Sequence, residues 1–248
     1  MSNPLLDRTY SGRSSAWDRA AGYQKEARPV QQVRKIVLKG AVDVVFFTAD
    51  SACLVVAGDS QDAIQRITTR LEGDKLVIEQ EGVTISSGGG SVRVSGSGNI
   101  VAGGTIYVGG SMNVRIDGAA VGVSVGGETV VGIALPEAPV IRVKGSGDIE
   151  LYDLHQAELD VRVQGSGDIS VCGRVERFLA EVQGSGDIDA ADLIAQAAEL
   201  SVAGSGDIVA HVTTAVTARV AGSGDIVVRG APPSRNHSVA GSGEIKFK

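Results

Sequence analysis

The chain has 248 residues, enough for one large β domain or two ordinary ones, and 43% of them are hydrophobic, so a core can be filled. Its 34 glycines and 4% aromatic content are unusual; glycine normally supplies about 7% of residues, and a core this poor in rings must be packed with Val, Ile, Leu and Ala. The formal charge of −6 arises beyond residue 91, since residues 1–91 carry 11 basic and 11 acidic side chains and residues 92–248 carry 12 and 18; this excludes the concentrated basic face that a nucleic acid or an anionic membrane requires.

Residues 1–30 read as a polar tail or cap, with a short helix expected from Ser15 to Glu26 that carries Trp17 and Tyr23. The opening, Met1-Ser-Asn-Pro-Leu-Leu-Asp7, has neither a basic start nor an apolar run, so no secretion signal is visible and the location expected from it is cytoplasmic. No stretch approaches the roughly 20 apolar residues of a membrane span. Residues 31–91 read as an irregular first part of a β-solenoid, with strands over Val33–Lys39, Val42–Thr48, Cys53–Ala57 and Lys75–Gln80. Between these, Asp59–Leu71 is a helical turn or an excursion. Cys53 and Cys172 are the only cysteines and read as small buried hydrophobes rather than a disulfide.

Residues 92–248 are organised by a repeat. Gly-Ser-Gly followed by an acid or amide and Ile begins at Gly96, Gly145, Gly165, Gly184, Gly204, Gly222 and Gly241; the second glycines are Gly98, Gly147, Gly167, Gly186, Gly206, Gly224 and Gly243. After a first gap of 49 residues the steps are 20, 19, 20, 18 and 19. The long gap fits two or three degenerate rungs, with strands at 114–116 and 123–125. Two residues before each word stands a valine (Val94, Val143, Val163, Val182, Val202, Val220, Val239), and the word always closes on Ile. Alternation of period two on both sides of a glycine corner describes strand, corner, strand, with one apolar face. A unit of this size cannot bury that face alone, so neighbours must stack. The fold predicted is all-β: a single-stranded parallel β-helix of 18–20 residues per rung, with the right-handed form favoured because that drift departs from a strict hexapeptide coil.

These features resemble the bacterial family known as putative auto-transporter adhesin, head GIN domain. The resemblance runs through Lys39-Gly-Ala-Val-Asp-Val-Val-Phe-Phe47, Leu54–Asp59, Glu72-Gly-Asp-Lys-Leu-Val-Ile78 and every Gly-Ser-Gly-acid-Ile copy. It implies a right-handed β-helix, a place at the cell surface, adhesion to surface glycans or proteins, and no catalytic residues. Members commonly carry a secretion or lipoprotein signal, which this sequence does not display.

The acids of the repeated word form a column: Asn99, Asp148, Asp168, Asp187, Asp207, Asp225 and Glu244. Stacked about 4.8 Å apart, they read as a turn ladder whose carboxylates accept N–H groups from Gly or Ser of the corner. A Ca²⁺ file on Asp148, Asp168, Asp187, Asp207 and Asp225 is the alternative, although the period is not that of nonapeptide calcium rolls. The serines lie outside any nucleophile elbow, and a repeated serine lacks the unique base catalysis needs. His155, His211 and His237 share no metal-ligand spacing. No cofactor motif is present. The sequence therefore suggests a non-catalytic adhesion or scaffold module; a self-assembling filament subunit is the alternative, and a carbohydrate-active enzyme is a third reading. End-to-end self-association would use Ile245 and Phe247 of the final copy and Trp17 and Tyr23 of the first segment.

Overall fold

The computed structural model describes residues 15–80 and 127–248 throughout and, between them, the backbone of three short strands. In chain order the elements are helix α1 (Ala16–Arg19) and strands β1 (Gln24–Arg28), β2 (Lys35–Gly40), β3 (Asp43–Thr48) and β4 (Cys53–Gly58). Helix α2 (Gln61–Gln65) precedes β5 (Ile67–Glu72) and β6 (Lys75–Gln80). The three short strands are β7 (Val92–Ser95), β8 (Met112–Ile116) and β9 (Ala119–Val123). Then come β10 (Thr129–Leu135), β11 (Val140–Gly145), β12 (Ile149–Gly165), β13 (Ile169–Gly184), β14 (Ile188–Gly204) and β15 (Ile208–Gly222). The last are β16 (Ile226–Arg229), β17 (Ser234–Gly241) and β18 (Ile245–Phe247).

From β11 onward each coil lies parallel and in register on the one before. Ile149 stands over Ile169, then Ile188, Ile208, Ile226 and Ile245, while Val163, Val182, Val202 and Val220 form a second file. Both files point into one core with the apolar residues of β2, β3, β4, β6 and β10. Bends follow Leu151, Ser170 and Ala190, where the register shifts by one or more residues; this lets a single strand turn a corner of the coil.

Beneath the Gly145 corner lies Gly40-Ala41-Val42-Asp43, 105 residues earlier, not the copy at Gly96. β11 pairs with β2, β12 pairs with β3, and Ser146 and Gly147 both donate to the Gly40 carbonyl at 2.9 and 3.0 Å. β7, β8 and β9 instead form a separate antiparallel sheet, Val92 facing Ile116 and Ile116 facing Ala119. The degenerate rungs expected in the gap between Gly96 and Gly145 are thus not what β8 and β9 make, and residues 124–125 of the strand expected at 123–125 lie outside the described residues. The sequence between β8 and β9 is Asp117-Gly118, a two-residue hairpin signal that favours antiparallel return over a crossover. Gly96, Gly98 and Asn99 lie outside the described residues.

The first segment also differs from expectation. Its helix stops at Arg19, a short 3₁₀ turn runs to Gly22, and Gln24–Arg28 is a strand antiparallel to β4. The tertiary partner overrides the helical preference of Gln-Lys-Glu-Ala-Arg, because β4 would otherwise leave a row of backbone groups unpaired.

β3, β4 and β10 are buried on both faces. Val44, Phe46, Leu54, Val56, Val131 and Ile133 enter the coil core, while Val45, Phe47, Val55, Ala57, Val130 and Ala134 form a second cluster outside it. That is why these strands read as unbroken apolar runs rather than alternating ones.

Candidate functional site

Each corner repeats one hydrogen-bond pattern. The Gly145 carbonyl accepts from Ser166 N–H at 2.9 Å and Gly167 N–H at 3.1 Å, and the same pair recurs at Gly165, Gly184, Gly204 and Gly222. The first glycines have φ between 134° and 145°, a region costly for any other residue. The second glycine is required by proximity: a Cβ on Gly167 would stand 2.1 Å from the Gly147 carbonyl oxygen.

The acids tie successive coils together in both directions. Oδ1 of Asp148 accepts from Asp168 N–H at 2.9 Å, Asp168 from Asp187, Asp187 from Asp207, Asp207 from Asp225, and Asp225 from Glu244. The main-chain carbonyls of Asp168, Asp187, Asp207 and Asp225 accept from the Ile N–H of the preceding coil. The N–H groups reaching these carboxylates therefore come from the acid of the next coil, not from Gly or Ser of the same corner. Asp43 is a member that sequence reading missed; its Oδ1 accepts from Asp148 N–H at 3.3 Å. The available signal was Gly40-Ala-Val-Asp-Val44, which keeps the first glycine and the acid and loses the middle of the word.

Electrostatics grade along this ladder. Burial pushes the carboxyls of Asp43 and Asp148 above their ordinary range, outweighing the N–H each accepts. At the far end, the Glu244 N–H and then Lys246 hold Asp225 below it, with Lys246 Nζ 3.2 Å from Asp225 Oδ2. Because Oδ1 of each aspartate in the ladder is engaged, and Oδ2 of Asp225 is taken by Lys246 as well, the ladder offers a cation at most one remaining oxygen per coil rather than a converging set; Ca²⁺ ordinarily takes six to eight. Among the described residues no three His, Cys, Asp or Glu side chains are gathered as a metal centre would need.

A polar groove lies on one lateral face, where the second halves of the coils stack. Its wider part, about 410 Å³, is lined by Arg34, Asp74, Glu137, Glu158 and Asp160 among others; a narrower part of about 130 Å³ continues from Asp160 past Arg162, Glu181, Ser201 and Arg219. Arg142 and Arg162 are register neighbours on successive coils and share Asp160, which lies 3.9 Å from Arg142 and 3.0 Å from Arg162, while Arg162 also reaches Glu181 of the next coil at 2.8 Å. The hydrogen bond to Asp160 is the main reason the Arg162 guanidinium holds its proton even more firmly than usual. These side chains project from strands fixed on both sides by neighbouring coils, so donors and acceptors are presented at a set spacing. No groove is legible in the sequence, since the wide part joins residues around 34, 74 and 137 that only the fold brings together.

The four expected assembly residues are placed as two pairs. Trp17 is 3% exposed and packs in the outer cluster, and Tyr23 sits at its margin with its hydroxyl donating to Glu128. Both lie in the segment that leads into β1, the outermost strand of the sheet at the end opposite β18. That hydrogen bond, with burial, pushes the Tyr23 phenol up to about 12. Ile245 and Phe247 are half-buried on the last described coil. There Arg235 lies 4.6 Å from the centre of the Phe247 ring and His237 meets its edge at 5.3 Å. Cys53 and Cys172 are half-buried thiols, not a disulfide. No helix among the described residues is long and apolar enough to cross a membrane.

Residues 33–232 match the family described as putative auto-transporter adhesin, head GIN domain. A solved structure of a putative adhesin from Bacteroides fragilis is similar over 91% of this chain and 96% of its own, with 20% identity and a TM-score of 0.60. A structure called a putative lipid binding protein, from Parabacteroides distasonis, is similar over the same shares with 21% identity and a TM-score of 0.53. At these identities the likeness is one of fold. No curated protein matches the chain.

Proposed function

The chain belongs to the putative auto-transporter adhesin, head GIN domain family, and from that membership we propose that it is a non-catalytic adhesion module acting at the cell surface. The observation that carries this reading is the lateral groove from Arg34 to Arg219, which sets a row of guanidinium and carboxylate groups along successive coils. Such a row suits an extended, hydroxyl-rich partner such as a surface glycan, or the polar rim of a protein. In its narrower part the strands that carry Asp160, Arg162, Glu181 and Arg219 support it by removing the ordering cost that flexible loops would add on binding. The acids of the corners are taken up in holding coils together and are not needed for recognition.

The test is retention of chain-coated beads on a glycan array and on a panel of immobilised extracellular proteins. The reading expects saturable retention on at least one surface, weakened by Arg162→Ala with Arg219→Ala, and no turnover of the retained glycan. Turnover of that glycan would support the carbohydrate-active alternative instead. A second reading, end-to-end filament assembly, draws on β17, which is exposed over all eight residues with Val239 43% exposed. An exposed edge of this kind is a pairing template. Arg235 and His237 on the Phe247 ring weigh the other way, because they put polar groups over the core of that coil. Electron microscopy of the purified chain separates filament from single particle.

A further inference from the structure

Residues 15–28 lie across the coil as a strap, and their contacts are separable from the coil's own core. Trp17 and Ala16 join the outer cluster with Val45, Phe47, Val55, Ala57, Val130 and Ala134, whereas the inward core contains no residue of the strap. The seat for Trp17 is shaped for it. A Cβ on Gly132 would stand 2.6 Å from the indole, so only glycine at that point lets the ring lie against β10. β1 adds itself to the edge of β4 through five paired residues, Gln24 opposite Gly58 to Arg28 opposite Leu54. Polar contacts finish the attachment: Ala16 N–H to Glu150 at 3.1 Å, Lys25 Nζ 5.1 Å from the indole, and Arg28 to the Ile64 carbonyl at 3.0 Å. The family match begins at residue 33, just beyond the strap.

We propose that this outer face is an exchangeable socket for a strand bearing a tryptophan, and that its second occupant is the strap of another copy of the same chain. The socket has two parts found in strand-addition sites, an unpaired sheet edge on β4 and a pocket for an anchoring side chain. Emptied, it would expose contiguous apolar surface that soluble proteins rarely leave bare. The identical segment of a neighbour fits it without any new complementarity, which makes exchange between copies a low-cost route to a dimer. Residues 29–31 are the connection that would have to swing, since Val33 is buried in the core and Arg34 is held by backbone bonds to Asp74 and Val140. The dimer forms at the β1 edge of the sheet, the end opposite β18, and no residue of the strap lines the adhesive groove, so this proposal and the adhesion reading fail separately.

The test uses the full chain carrying Lys25→Cys and Ala57→Cys, which are cross-strand partners, with Cys53→Ala and Cys172→Ala to leave one possible bond. Reduced protein is incubated over a concentration series and then oxidised. Exchange gives a disulfide-linked dimer whose share rises with concentration; an intrachain disulfide alone at every concentration overturns the proposal. Should that variant fold poorly, a fluorescein-labelled peptide of residues 15–28 is titrated into the wild-type chain and into Trp17→Ala. In the wild type the tethered strap competes at an effective concentration of millimolar order, so vacating the seat should tighten peptide uptake by about tenfold or more. The peptide carrying Trp17→Ala should not bind. Equal uptake by both chains, or none by either while both remain folded by circular dichroism, overturns the proposal.

Discussion

At a corner such as Gly184-Ser185-Gly186-Asp187, neighbouring residues answer to different forces. Asp187 is exposed, yet its Oδ1 receives the Asp207 N–H at 2.8 Å. Asp187→Asn keeps that acceptor and should change stability little, whereas Asp187→Ala removes it and should cost about 1 kcal/mol, the size of an ordinary hydrogen bond. Thermal denaturation of the two variants separates the roles of charge and acceptor. Gly206→Ala is the harsher change, since its Cβ would stand 2.0 Å from the Gly186 carbonyl oxygen, a backbone atom that cannot step aside. A loss of about 3 kcal/mol or more is expected, at the upper end of overpacking effects. Asp148 adds a pH signature. Its folded pKa is raised above the ordinary 3.8, so its contribution to stability is full below that value and is lost as pH rises through the folded pKa. Asp148→Asn should therefore stabilise the chain at neutral pH and converge with the wild type in acid; a larger gain in acid than at neutrality would contradict the burial argument.

The elements differ in how far the sequence revealed them. β12 to β15 were legible because every coil solves the same problem: an inward Val, a glycine corner, an inward Ile. β2 and β3 were visible as strands, but their place beneath the Gly145 corner was not, since Ala41 and Val42 replace Ser and Gly and the partner lies 105 residues away. β1 was hidden by helix-forming residues whose strand state depends on β4. The double burial of β3, β4 and β10 had a readable trace in Val44-Val-Phe-Phe47 and Leu54-Val-Val-Ala57, runs too continuous for a strand with one face in water. The corner acids were legible as a column, but their bonding partner was not, because it depends on the register between coils. At the last described coil, Phe247→Ala should remove the surface on which Arg235 and His237 rest. Hydrogen exchange at Ile245–Phe247 should then quicken selectively, with β12 to β14 unchanged; uniform acceleration along the whole coil would mean that the stack opens as one unit.

For the whole molecule, the proposed adhesion reading divides structural from recognition chemistry between the corners and the groove. Corners consume their polar groups in coil-to-coil hydrogen bonds, so calorimetric titration with Ca²⁺ at physiological ionic strength should show nothing tighter than about millimolar, the range of weak extracellular sites. A micromolar isotherm abolished by Asp168→Asn with Asp187→Asn would make the ladder a cation site after all. The lateral groove, by contrast, holds its charges on side chains whose removal leaves the inward files untouched. The measurement that bears most directly on the proposed division compares two variants on whichever surface retains the wild-type chain. Arg162→Ala with Arg219→Ala should weaken retention per folded molecule by about tenfold or more, as loss of one or two charged contacts does, with only the small fall in melting temperature that losing the Asp160 and Glu181 pairs brings. Asp187→Ala should lower the melting temperature and leave retention per folded molecule unchanged. The opposite pattern, retention lost with the corner acid and kept without the groove arginines, would contradict the account.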